Sequence, residues 1–129
     1  MDHIIEKNKR ERKGRVYFSK ETEANIVLYN SLDPIKDADE RSDIYQDHIH
    51  YPFYKLTQNI IHTFKFYHFD VPSEDVKHEV ISFMITRLGK YRQGKGKAFS
   101  YFSVVVKNWL ICHNNANYKK IKHILMLLT

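Results

Sequence analysis

The chain has 129 residues, 43% of them hydrophobic and 28% charged, which suits one folded domain with a real core and leaves too little length for two. Four glycines and three prolines are too few turn signals for a sandwich or barrel of many short strands, so a helical domain is expected. The single Cys112 excludes an intramolecular disulfide and a multi-cysteine zinc site and suits a reducing cytoplasm, and no apolar run reaches the roughly 18 residues of a membrane span.

The formal net charge of +6 conceals an asymmetry. Residues 1–79 hold all 15 acids against 12 Lys and Arg, a balance of −3, whereas residues 80–129 hold nine Lys and Arg and no acid, a balance of +9. A half of that kind draws a polyanion, most commonly nucleic acid, although an anionic membrane surface or an acidic protein patch would answer the same charge.

Residues 1–16 form a charged arm in which Lys7, Lys9, Arg10, Arg12, Lys13 and Arg15 surround few apolar groups, and disorder is expected there. The folded domain is placed at 17–129. Ser19 is the expected cap of a first helix with Glu21 and Glu23 in its first turn and Ala24, Val27 and Leu28 on its buried side. Leu32-Asp33-Pro34 ends it, because the residue before proline is pushed out of the helical region. A second helix starts near Asp37 and carries Ile44, Ile49, Phe53, Leu56, Ile60 and Phe64 in register, with Pro52 as the point where it should kink or split. Asp37, Asp39, Glu40, Asp43 and Asp47 make its first half acidic. His48 and His50 lie two residues apart and so point in different directions, with no further ligand to complete a metal site.

After Asp70-Val71-Pro72, Ser73 is the expected cap of a third helix, with Val76, Val80, Phe83, Met84 and Leu88 as its core stripe and Asp75, His78, Glu79, Ser82 and Thr86 on the polar side. His78-Glu79-Val80-Ile81-Ser82 starts like a zinc-protease signature, but Ser82 stands where the second histidine is needed. Gly89 to Gly96 has the outline of a phosphate-binding loop, yet Gly96 replaces the hydroxyl that would hold magnesium and a helix precedes it, so a flexible basic turn is expected. The fourth helix follows. Phe99, Phe102, Val105, Val106, Trp109 and Leu110 recur at spacings of three and four and form its core stripe, while Tyr101, Val104, Asn108 and Ile111 share a different side. His113-Asn114-Asn115-Ala116-Asn117 is a polar break, and the apolar Ile124 to Leu128 packs on the domain or marks an altered ending. With no carboxylate after Glu79 to serve as metal ligand or general base, no convergent catalytic set is visible, and a non-enzyme is expected.

Asp75-Val76-Lys77-His78-Glu79-Val80, the Lys90-Tyr91 before a glycine-containing turn, Gly96-Lys97-Ala98-Phe99-Ser100-Tyr101-Phe102-Ser103, Asn108-Trp109-Leu110 and Asn117-Tyr118-Lys119-Lys120 together resemble region 2 of bacterial sigma factors. The similarity is greatest to the late-transcription sigma factors of T-even-type and marine phages and covers about 17–122. The resemblance implies an all-α helical bundle of four to five helices and a subunit that directs core RNA polymerase to promoters without cofactor or catalysis. It implies that Asp75, His78, Glu79 and Ser82 dock on the clamp helices of the largest polymerase subunit. It further implies that Lys97, Phe99, Tyr101, Phe102, Lys107, Asn108, Trp109, Lys119 and Lys120 contact and open an A/T-rich minus-ten element. Two departures stand out: Val105 and Val106 lie near the place of the paired tryptophans of primary sigma factors, and the turn leaves a one-residue ambiguity between Tyr101 and Phe102. The chain lacks length for a minus-thirty-five reading domain, as in the phage proteins. Those proteins couple to a coactivator and, through an acidic hydrophobic ending, to a sliding clamp; with nothing acidic after Glu79, clamp coupling through this C-terminus is disfavoured. The alternative of another class is a stand-alone helical regulator that binds DNA or RNA.

Overall fold

The computed structural model describes residues 17–66, 72–94 and 96–128, the side chain of Tyr118 excepted. The charged arm 1–16 and the Asp70-Val71 part of the second break lie outside them. Among the described residues the chain is all-α: α1 is Lys20–Ser31, α2 Ala38–Ile44, α3 His50–Phe64, α4 Ser73–Arg87 and α5 Ala98–Leu128. A π-helical turn, Tyr45–Ile49, joins α2 to α3, and a 3-10 turn, Leu88–Lys90, follows α4. The chain divides into two compact units at Lys55/Leu56, inside α3. No described helix is long and apolar enough to cross a membrane.

In the first unit α1 starts at Ser19, whose N–H donates to Thr22 Oγ1 at 3.2 Å, half of a capping box with threonine in the usual acid's place. The buried side of α1 is Thr22 and Ile26, not Ala24, Val27 and Leu28: Ala24 is exposed, Val27 half-buried and Leu28 46% exposed. The reason lies outside the helix. Phe18 stacks on Phe53 at 6.4 Å, and Ile26, four residues beyond Thr22, continues the row that Phe18 begins. Asp33 shapes the next turn, its Oδ1 accepting from the N–H groups of Ile35 at 2.8 Å and Lys36 at 2.9 Å. These bonds, the Lys36 one foremost, lower the pKa of its carboxyl. Arg41 closes α2 onto α1: its guanidinium lies 4.2 Å from the centre of the Tyr29 ring and its Nε donates to Tyr29 O at 3.2 Å.

Helical geometry is not interrupted at Pro52 itself. Helix continues through it, and the disturbance is displaced one turn towards the N-terminus as the π-helical turn Tyr45–Ile49, in which the His50 N–H bonds to Tyr45 O. Proline has no N–H for the carbonyl four residues back and its ring presses on that carbonyl; widening the preceding turn relieves both. The widened turn carries Tyr45 and Ile49 inward, where Tyr45 meets Phe53 edge-on at 6.3 Å and its hydroxyl lies 3.1 Å from His50 Nδ1.

In the second unit the remainder of α3, α4 and α5 supply the core. Leu56, Ile60 and Ile61 of α3, Val76, Val80, Ile81, Met84 and Leu88 from α4 and its 3-10 extension, and Ala98, Phe102, Val106 and Leu110 of α5 are all buried. Thr57 is buried too and donates its hydroxyl to Met84 Sδ at 3.5 Å. Phe83, expected in the stripe of α4, is only half-buried and carries the Arg87 guanidinium 4.8 Å from its ring centre. Ser73 is the first residue of α4 rather than its cap: Pro72 holds that place in extended geometry, and its carbonyl accepts from Asp75 N at 3.0 Å and Val76 N at 3.1 Å. At the end of α3, Phe64, expected in register with the core, is half-exposed, and Lys65 adopts a left-handed φ of 55°. Phe66 N–H donates back to Ile61 O at 3.1 Å, the long bond of a Schellman ending in which glycine is the unstrained occupant.

Two outcomes follow. Replacing Lys65 with Gly removes the left-handed penalty of roughly 1–2 kcal/mol and should raise stability by up to about 1 kcal/mol once the freer unfolded chain is counted, read as an upward shift in thermal midpoint. Burial, with a smaller contribution from Tyr29, pushes the Tyr45 phenol from 10.0 to about 12. A raised acid of this kind stabilises the fold fully below pH 10 and loses that contribution as pH rises towards 12, so an alkaline denaturation series should fall off more steeply for the native chain than for Tyr45→Phe.

Candidate nucleic-acid interface

The polar side of α4 is built by spacing alone. Asp75, His78, Glu79 and Ser82 recur at intervals of three, one and three residues, so they share one face of the helix, about 10 Å long, and all four are exposed. Val76, Val80 and Met84 hold the opposite side in the core. Beside this face Glu74 Oε1 accepts from Lys77 Nζ at 2.9 Å; the Lys77 side chain is itself buried, its stem lying along α4 towards the exposed carboxylate.

The basic turn is pinned at both ends. Tyr91 is buried and donates its hydroxyl to Gly96 O at 3.1 Å, while Arg92 Nη1 donates to Gly89 O at 2.6 Å and Tyr91 O at 3.1 Å. Gly94 and Gly96 take φ of 96° and 123°, conformations that a side chain resists. The described residues of the segment expected to be a flexible basic turn are tied by these bonds and present Lys90, Arg92 and Lys97 to solvent. The anchoring role of Tyr91 was not legible from sequence; its only signal is an aromatic directly before a glycine-rich turn.

On α5 the fully buried row is Ala98, Phe102, Val106 and Leu110, continued by the nearly buried Asn114, one residue every four. Of the expected core stripe, Phe99, Val105 and Trp109 are only half-buried. Phe102 leaves the list of nucleic-acid contacts: it is 0% exposed, edge-on to Tyr101 at 5.0 Å and 6.2 Å from Tyr91, so no face of its ring is open to a base. Tyr101 remains. It is half-buried, backed by Tyr91 at 5.7 Å, which fixes its orientation and leaves part of the ring in solvent. Lys97, Tyr101, Asn108 and Lys119 fall along one edge of the helix by spacing, with Lys97, Asn108 and Lys119 exposed.

The other expected contacts lie elsewhere. Lys107 is half-buried with Nζ 4.5 Å from the Phe64 ring centre. Trp109 stacks on His113 at 3.8 Å and 13°, and His113 Nδ1 lies 2.8 Å from Trp109 O, to which it donates. Phe99 is half-buried and its carbonyl accepts from Ser103 Oγ at 2.6 Å; Lys120 is exposed.

The expected break at 113–117 is absent, and α5 runs unbroken from Ala98 to Leu128. Asparagine and histidine cost only a few tenths of a kcal/mol each in a helix, there is no Gly or Pro to stop it, and Asn114 is held on the buried side. Ile124 to Leu128 are all exposed.

This surface pairs hydrogen-bonding, cationic and aromatic groups without a carboxylate on α5, which suits an anionic strand with accessible bases. Comparison with protein-family models, with curated proteins and with solved structures finds no match to this chain.

The two adjacent aromatics should separate in a stability assay. Phe102→Ala should cost about 3–5 kcal/mol and Tyr101→Ala distinctly less, both read from chemical denaturation midpoints.

Proposed function

We propose that this chain is a sigma-type transcription factor without catalytic activity, binding bacterial-type core RNA polymerase through α4 and an A/T-rich minus-ten-type element through α5. The observation that carries it is a separation of charge between two helices that pack on each other. The exposed face of α4 bears Asp75 and Glu79, the last acids of the chain, and the exposed edge of α5 bears cations, amides and an aromatic beside the apolar Val104 and Ile111, with no carboxylate. The first is fitted to a cationic protein surface and the second to nucleic acid.

The division of work follows from the side chains. Lys97 and Lys119 supply backbone affinity without sequence information, Asn108 can offer both a donor and an acceptor to a base edge, and Tyr101 offers a ring on a rigid support. A base stacked on such a ring gains about 1–3 kcal/mol, comparable to the few kcal/mol that unstacking it from a duplex costs. Strand opening is then reachable without ATP. Trp109, half-buried and stacked on His113, lies off this edge, and Lys120 adds charge along the same helix. A phage coactivator or sliding clamp remains an additional partner to be tested, the clamp not through the C-terminal turns, which carry no acid. The host cytoplasm is the setting this function requires.

The deciding experiment is a gel shift and run-off transcription with and without core polymerase. Promoter binding and transcription that appear only when both proteins are present support the proposal; tight duplex binding by the chain alone, falling about a thousandfold between roughly 50 and 200 mM salt, would identify a stand-alone regulator instead. Asp75→Lys with Glu79→Lys should weaken polymerase binding at least tenfold at unchanged helicity. Tyr101→Ala should lower affinity for single-stranded promoter DNA by about 5- to 150-fold, the equivalent of one stacked base.

A further inference from the structure

The end of α3 carries a cluster that lies outside the α5 edge of Lys97, Tyr101, Asn108 and Lys119. Lys65 takes a left-handed φ of 55°, a conformation that strains any residue with a Cβ and that glycine adopts freely. It turns the chain back at the helix end. Side chains two apart on a regular helix point in different directions, yet across Lys65 the rings of Phe64 and Phe66 stack, their centres 6.1 Å apart and their planes at 30°. At that separation the rings are offset, so Phe66 braces Phe64 without covering it fully, and 49% of the Phe64 surface is in solvent. From α5 the Lys107 ammonium comes within 4.5 Å of the Phe64 ring centre, and Lys65 is itself exposed.

We propose that Phe64 is a second stacking platform for the separated DNA strand, with Lys65 and Lys107 as phosphate contacts beside it; the inference rests on the reading of α5 as a strand-binding helix. The surroundings select that ligand. No carboxylate occurs between residues 48 and 69 or after Glu79, so both segments that build the cluster lack the charge that would repel a phosphate. An exposed ring between two ammonium groups offers stacking and backbone attraction together, the pairing that single strands are held by.

Helical spacing joins the platform to the α5 edge. Lys107 comes three residues after Val104 and four before Ile111, and these two exposed residues follow Tyr101 and Asn108 by three, so a strand on Tyr101 and Asn108 reaches Lys107 across one strip of the helix. The strain at Lys65 fits the same role. Glycine there would relax the backbone, and strain that the fold does not need collects at binding positions, where stability is exchanged for function.

The test is the affinity of the full chain, without polymerase, for a short fluorescein-labelled oligo-dT, read by anisotropy. Phe64→Ala should lower it by about 5- to 150-fold, the equivalent of one stacked base. Phe64→Leu, which keeps apolar bulk but has no aromatic face, should lose as much, and Phe64→Trp should bind as tightly as the native chain. Lys65→Gly should bind more weakly while its thermal midpoint rises, and the slope of log affinity against log salt should shrink by about 0.7, the share of one phosphate on a single strand. Tyr101→Ala is the comparison. If Tyr101→Ala weakens binding and Phe64→Ala does not, the platform is overturned and the role of α5 stands; a native chain that binds no strand overturns both. Native affinity in Phe64→Leu would also overturn the platform, because the contact would then need no ring.

Discussion

The contact between the four-residue row of α5 (Ala98, Phe102, Val106, Leu110) and the row of α4 (Val76, Val80, Met84, Leu88) governs what the second unit can present to a partner. A helix fixed along such a row loses its freedom to rotate about its axis, because turning it by one position would pull Phe102 into solvent and press Tyr101 or Ser103 into a close-packed core. Every outward assignment is a consequence. Tyr101 stands beside the core instead of in it, Asn108 faces water, and the α4 carboxylates lie on the side of α4 away from its buried row. Tyr91 reinforces the lock from the turn by bonding to Gly96 and supporting both Tyr101 and Phe102.

Charge is arranged on this frame rather than creating it. The acids end at Glu79 on α4 and the remaining 50 residues bear only positive charge, so neighbouring helices of one unit offer opposite electrostatic surfaces. A helix exposing cations, amides and part of an aromatic ring suits a polyanion with unpaired bases, and the proposed sigma-type role uses both surfaces together.

Where sequence expectation and structure part, the reasons are local and physical. Pro52 predicted a broken helix, but a missing donor and a crowded carbonyl can be absorbed by widening one turn, and the π-helical turn Tyr45–Ile49 does so while carrying Tyr45 and Ile49 inward. The asparagine-rich run after His113 predicted a stop, but weak propensities add up to little against the cooperative extension of an established helix, and no Gly or Pro stands there to oppose it. The buried side of α1 follows Phe18, just before the helix, whose row runs on through Thr22 and Ile26, rather than the apolar Ala24, Val27 and Leu28 within it.

The residues by themselves determined the helical class, the positions of the main elements, the polar face of α4 and the absence of acid beyond Glu79, since each depends on spacing and residue type along a single segment. Period alone could not tell Phe102 from its neighbour Tyr101, nor decide which of two apolar sides of α5 would be covered. Those choices fell to the tertiary structure, because a helix with two candidate faces is set by the partner that packs against it, and that partner lies on other segments of the chain.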